Sequence, residues 1–182
     1  MGLAFDRSRS DRATIHGMIT LRRATLADAE AVADIHLRSF GATYPFPLAH
    51  PDDEVREWVR TKLIPTMETW VAVDDGADDP EADGMERVVG FMTLAPGWLE
   101  QLYVDPKRLG EGIGRMLLDL AKELQPNLLL WTFQVNDRAR RFYERNGFTV
   151  VRFGDESNNE EHQPDVQYIW RRVKPEAGST SA

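Results

Sequence analysis

Three glycines fall within five positions, Gly110, Gly112 and Gly114, in the stretch LYVDPKRLGEGIGRMLLDLAKE, between a strand-like apolar run and a long helical pattern. A glycine-rich turn at the mouth of a helix aims several backbone N–H groups, and the positive end of the helix dipole, at one point. That feature asks for a strand on one side and a packed helix on the other, and it makes the joint an anion site. Phosphate is the natural occupant, because a side chain at those positions would hold ligand oxygens away from the backbone. The competing reading is a plain strand-to-helix turn with extra glycine. Two common phosphate loops fail on spacing: the pattern is G-x-G-x-G rather than the dinucleotide fingerprint G-x-G-x-x-G, and no Gly-Lys-Ser/Thr follows.

The flanks of the turn extend the α/β pattern in both directions. Ile19 to Ala24 reads as a first strand, and Thr25 with Asp28 resembles a capping arrangement ahead of the helical stripe Ala29, Val32, Ala33, Leu37 and Phe40. The proline-bearing loop GATYPFPLAHP leads into a second helix over about Asp52 to Lys62. TWVAV and RVVGFMTLA read as a hairpin around an acidic loop, and WLEQLYV as the strand before the glycines. After them Ile113, Met116, Leu117, Leu120, Ala121 and Leu124 make one stripe that stops before Pro126. LLLWTF has the continuous apolar character of a strand buried on both faces, as in a parallel sheet covered by helices. A further helix starts at Asn136 or Asp137, turns Ala139, Phe142 and Tyr143 inward, and ends at Gly147. Two last strands, about Phe148 to Arg152 and Gln167 to Arg171, complete the order β-α-α-β-β-β-α-β-α-β-β, a mixed α/β sheet in one domain.

A chain of 182 residues suits one domain of ordinary size. Residues 1–18 read as a disordered tail and Met18, directly before the first strand, as an alternative start; the domain spans 19–172, and 173–182 form a second tail. The absence of cysteine excludes disulfides and a thiol nucleophile and fits a cytoplasmic location, while the scattered histidines 16, 36, 50 and 162 predict no metal site. No apolar run is long enough for a membrane span. The net charge of −8 is concentrated in two acidic segments, Asp74 to Glu86 and Phe153 to Val166, and argues against nucleic acid as a partner.

The two segments after the fourth strand resemble the GNAT superfamily of acyl-CoA-dependent N-acyltransferases. YVDPKRLGEGIGRMLL is similar to the family's pyrophosphate motif R/Q-x-x-G-x-G/A, with Gly112 and Gly114 on its small positions and Leu109 where Arg or Gln is usual. NDRARRFYERNGF matches the second motif, N-x-x-A-x-x-F-Y-x-x-x-G-F, through Asn136, Ala139, Phe142, Tyr143, Gly147 and Phe148. The resemblance implies a GNAT-like mixed sheet of about seven mostly antiparallel strands with a splayed parallel pair and about four helices. It implies acetyl-CoA as acyl donor, an amine acceptor, no metal, and a homodimer as one assembly open to the chain. Donor contacts would come from Leu102, Tyr103 and Val104 on the strand, from Arg108, Leu109, Gly110, Glu111, Gly112, Ile113, Gly114 and Arg115 around the turn, and from Asn136, Arg138 and Tyr143 beyond it. Between Asp105 and Arg145 eight Lys or Arg face six acids, an excess that suits a ligand carrying several phosphates.

Acyl transfer to an amine needs a neutral nucleophile, a stabilised oxyanion and a proton for the departing thiolate. An alkylamine is only about 0.1% neutral at pH 7, so a base helps by roughly 4 kcal/mol. Period-two alternation puts Glu100 on the face of Trp98, Leu102 and Val104, where a carboxylate at an apolar edge becomes a better base. The family position of Tyr143 assigns it the acid that protonates the thiolate, and the N–H of Val104 or a neighbour the thioester carbonyl. Tyr44 and Phe46 are expected on one wall of the acceptor groove, with His50 read as a surface residue, and the acidic loop with Glu160 and Glu161 on the other. The activity expected is N-acetyl transfer to a primary amine of a small molecule or of a protein; a silent acyl-CoA sensor and an enzyme using a longer acyl donor are the alternatives.

Overall fold

The computed structural model describes residues 13–15, 19–75, 86–157 and 159–173. Among them, strands β1 (Ala13–Ile15), β2 (Ile19–Arg23), β3 (Glu68–Asp74), β4 (Arg87–Ala95), β5 (Trp98–Val104), β6 (Asn127–Phe133), β7 (Thr149–Phe153) and β8 (Asp165–Arg171) form one sheet in the order β1-β2-β3-β4-β5-β6-β8-β7. All neighbours are antiparallel except β5 and β6. The strand beyond the seven expected is β1, which lies inside the stretch read as a tail and pairs with β2. Segments 1–12 and 174–182, and residues 76–85 of the acidic stretch, lie outside the described residues.

The helices are α1 (Ala29–Thr43), α2 (Asp52–Trp58), α3 (Ile64–Thr66), α4 (Ile113–Leu124) and α5 (Asp137–Arg145), with a π-helical turn, Val59–Leu63, making α2 and α3 one continuous segment. Thr25 and Asp28 form the anticipated capping box before α1, and Arg22 holds both oxygens of the buried Asp28 at 2.9 Å. The second helical segment runs past Lys62, and Pro65 falls in its last turn, directly after the π-helical turn. Among the described residues no helix is long and apolar enough to cross a membrane.

The sheet has a core on each face. On one, Val71, Val73 and Phe91 pack against Val32, Ala33 and Ile35 of α1 and Val55, Val59 and Leu63 of the second helical segment. On the other, Leu21, Trp70, Ala72 and Met92 meet Ile113, Leu117, Leu118 and Ala121 of α4, continuing through Leu128, Leu130, Tyr143, Phe148 and Tyr168. Burial of this apolar area, at about 25 cal/mol per Å2, holds the helices on both faces.

Two strand expectations need correction. LLLWTF is not buried on both faces: Leu128 and Leu130 enter the core, whereas Leu129, Trp131 and Phe133 stay half-exposed. In β5 the register with β4 shifts, Thr93 facing Gln101 and Leu94 facing Leu99, so Glu100 is an extra, bulged residue. The bulge resets the alternation: Leu99 joins Leu102 and Val104 on the α4 side, and Glu100 is exposed rather than placed at the edge of that apolar face.

Candidate active site

The parallel strands β5 and β6 touch at a single bridge, Trp98 opposite Leu129, reinforced by Leu129 N–H donating to the Gly97 carbonyl at 2.8 Å. Beyond it they separate. Gln101 to Val104 remain half-exposed in the middle of the sheet although Gly90, Phe91, Met92 and Thr93, their β4 partners, are buried. Asp105 N–H donates to the Val89 carbonyl at 2.9 Å, so residue 105 faces β4. Alternation along the strand then turns the backbone groups of Leu102 and Val104 toward the gap. The Val104 carbonyl is taken there by Ser39 Oγ at 2.7 Å. The N–H groups of Leu102 and Val104 therefore lie along the open edge.

The glycine turn stands at the wide end of the gap. Gly110 and Gly112 have φ of +93° and +85°, which side chains rarely adopt, and a Cβ on either would meet no atom within 4 Å. The space above the turn is open. The first bond inside α4 runs from Met116 N–H to the Gly112 carbonyl at 3.0 Å, so the N–H groups of Ile113, Gly114 and Arg115 have no partner within the helix. No side chain caps this end, and its first turn holds no acid. A Cβ on Gly114 would make ordinary van der Waals contact, at 3.6 to 3.8 Å, with Val104, Leu102 and Phe142, so the helix start lies directly on the gap-lining strand. These properties fit a phosphate diester held by backbone amides.

Two of the arginines around the turn are paired within the protein. Arg108 is held by Asp74 at 2.6 Å and by Glu111 at 2.7 Å, and Arg115 by Asp119 at 2.7 Å. Arg138 is exposed on α5, and Leu109, at the position where the family usually has Arg or Gln, is also exposed.

Tyr143 is 7% exposed, with its ring 5.3 Å from Phe142, 5.5 Å from Phe148 and 6.2 Å from Tyr168. Burial, and then the nearness of Tyr44, push the phenol above its ordinary pKa, so it stays a proton donor at neutral pH. Its helix is capped by Asn136, whose Oδ1 accepts from Ala139 N–H at 3.0 Å. The Asn136 side chain is thus engaged within the protein, although the residue is half-exposed.

On the α1 side of the sheet, Tyr44 stacks on Phe46 at 5.2 Å, and Phe133 meets both edge-on at 5.1 and 5.2 Å. Phe40 backs this wall, and the Tyr44 hydroxyl accepts from Asn136 Nδ2 at 2.8 Å. A cavity of about 580 Å3 opens between α1 and the following loop, lined by Phe40, Phe46 and His50 among others. Across from it, Glu160 pairs with His50 Nε2 at 2.9 Å while Glu54 takes Nδ1 at 3.1 Å, and the two carboxylates raise the His50 pKa. Glu161 is half-buried, and its charge reaches Tyr44 and Tyr103: burial is the main reason both phenols are raised, and Glu161 adds to it. The structure thus separates two acids that the sequence grouped.

Ser39, His36 and Phe133 were not anticipated here. His36 is buried, stacks on Tyr103 at 4.8 Å, and is pushed down to about 4 by desolvation. On the sequence it falls beside Ile35 in an amphipathic helix and carries no signal of its own. Phe133 was visible only as the end of an apolar run.

A model of the acetyltransferase (GNAT) domain matches residues 65–150. The peptidyl-lysine N-acetyltransferase YjaB of Escherichia coli is 33% identical over 134 residues, which cover 74% of this chain and 84% of that protein. The solution structure of apo YjaB from Escherichia coli superposes with a TM-score of 0.65 at 30% identity, covering 83% of this chain and 96% of that one. The PaiA N-acetyltransferase of Thermoplasma acidophilum in complex with coenzyme A has the same fold, with a TM-score of 0.58 at 20% identity over 85% of this chain and 99% of that one. The splayed strands, the glycine turn and these relatives agree: the chain belongs to the GNAT family of N-acetyltransferases.

Proposed function

We propose that this enzyme transfers the acetyl group of acetyl-CoA to a primary amine, and that the amine is a lysine side chain of a peptide or protein. The observation that carries the reading is the gap between β5 and β6, with an uncapped helix start at one end and a buried phenol beside it. In this reading the N–H groups of Ile113, Gly114 and Arg115 hold the pyrophosphate, and those of Leu102 and Val104 line the thioester arm. The relatives named peptidyl-lysine N-acetyltransferases support lysine, as does an acceptor side with an aromatic wall and a half-buried carboxylate.

The roles we assign are these. Glu100, exposed on the bulge where the strands part, takes one proton from the ammonium and passes it to solvent; the second, shed by the nitrogen as the intermediate collapses, returns through water to the Tyr143 phenolate. The amine nitrogen bonds to the thioester carbonyl carbon, the carbon–sulfur bond breaks, and Tyr143 gives its proton to the departing thiolate. Glu161 and the aromatic wall attract and seat the ammonium end of the acceptor before that proton is lost.

The test is free thiol release from acetyl-CoA with two peptide sets, one with its α-amine blocked and lysine free, the other with a free α-amine and no lysine. Release with the first set is expected. No release with either, in a protein that binds coenzyme A, would mean a binding module instead of an enzyme.

A further inference from the structure

The strands β5 and β6 have one bridge between them, so nothing within the sheet sets how far apart their C-terminal ends stand. Helix α1 is fastened to both ends. To β5 it is tied by Ser39 Oγ on the Val104 carbonyl at 2.7 Å and by Arg38 on Asp105 at 3.0 Å. Toward β6 it is tied by Tyr44, whose ring abuts Phe133 at 5.1 Å and whose hydroxyl accepts from Asn136 Nδ2 at 2.8 Å and bonds Thr132. Ser39 lies near the end of α1, and Tyr44, five positions on, is the extended residue that closes the helix. The end of α1 is therefore tied to both strand ends across the gap.

Asn136 is the joint of this arrangement. One end of its amide caps α5 through Ala139 N–H, and the other is spent on Tyr44. Tyr143 is carried on the same helix, within electrostatic reach of Tyr44. We infer that α1 is a strut across the splayed strands, and that Tyr44, acting through Asn136, is a positioning residue that fixes α5 and hence the phenol of Tyr143. The inference rests on the reading of Tyr143 as the acid. It gives the Tyr44 hydroxyl a task of its own, beside the place of the ring in the acceptor wall.

The hydroxyl and the ring can be separated. Tyr44→Phe keeps the packing against Phe40, Phe46 and Phe133 and removes only the link to Asn136 and Thr132; Asn136→Ser keeps an oxygen that can cap α5 but is too short to reach Tyr44. Each is expected to lower kcat about 5- to 10-fold, with acetyl-CoA affinity and acceptor KM within about 2-fold of wild type, because one hydrogen bond and a small misplacement are lost. The pair together should lose no more than either alone. The decisive comparison is with Tyr143→Phe: once the acid is gone its position no longer matters, so adding Tyr44→Phe should lower kcat no further.

If Tyr143→Phe lowers kcat and Tyr44→Phe multiplies that loss, or raises acceptor KM instead, Tyr44 acts on its own and the strut is overturned. An unchanged kcat in Tyr44→Phe overturns it as well. Wild-type kcat in Tyr143→Phe with chemistry rate-limiting is a different outcome, which removes the acid assignment and the inference built on it.

Discussion

The two helices that flank the gap begin in opposite ways. Helix α5 is capped by the Asn136 side chain and has Asp137 in its first turn, so its N-terminal charge is answered within the protein. Helix α4 begins at a left-handed glycine, with no side-chain cap, no acid, and open space where a Cβ would stand. An exposed helix start left in that state has its amides available to an anion. The contrast extends to the whole site as proposed. The donor half is backbone: glycines, helix amides and the free edge of β5. The acceptor half is side chain: Tyr44, Phe46, Phe133, Glu161 and the His50–Glu160 pair, drawn from separate parts of the chain. A backbone site tolerates loss of nearby charges and fails when bulk is introduced, and a side-chain site does the reverse.

The largest expected effect lies between the halves. Tyr143→Phe should lower kcat by about 100-fold, within the usual range for acid catalysis, while acetyl-CoA affinity holds because the ring remains. Steady-state thiol release and a coenzyme A titration measure the two quantities, and a wild-type kcat would return Tyr143 to the core.

The next tests the buried polar groups of the acceptor half. His36 is held near 4 by burial, below its ordinary 6.5, so the folded state binds its proton less readily than the unfolded one. Its stabilising share is complete above 6.5 and is lost as pH falls toward 4. Compared with His36→Leu, the wild type should lose up to about 3 kcal/mol between neutral pH and pH 4. Denaturation curves across that window with equal slopes for both proteins would sink the assignment.

Gly112→Glu puts bulk, a strained backbone and a negative charge where the donor half is open. Coenzyme A affinity should fall by about 30-fold, roughly 2 kcal/mol, and an unchanged affinity in a folded variant would leave the turn without its ligand. The smallest effect is on the other side: Glu161→Gln should raise acceptor KM about 5-fold and leave coenzyme A affinity alone, with less change from Glu160→Gln because Glu160 is already paired with His50. A KM indifferent to Glu161 would make that loop plain surface.

The same division explains what could be read in the amino-acid sequence. The proposed donor half is local: Gly110, Gly112 and Gly114 stand in line with the strand and helix they join, so their spacing alone points to an open helix start. Asn136 was readable as a cap because capping is also local. Its bond to Tyr44 spans 92 positions and has no local signature. Tyr44 and Phe46 could be placed on a wall from their loop, but Phe133 completes that wall from the end of β6, where its apolar run suggested burial instead. Glu100 shows why alternation is fragile: one inserted residue resets the pleat, and a bulge leaves no mark in residue type. The arginines near the glycines looked free because ion pairs such as Arg108 with Asp74 form between elements that only the fold brings together.

A coenzyme A titration followed by backbone amide NMR tests the division most directly. The amides of Leu102, Val104, Ile113, Gly114 and Arg115 should shift most, and those around Tyr44, Phe46 and Glu161 should stay nearly still. Shifts centred on the aromatic wall and the acidic loop, with the glycine turn unmoved, would contradict a donor site built from backbone.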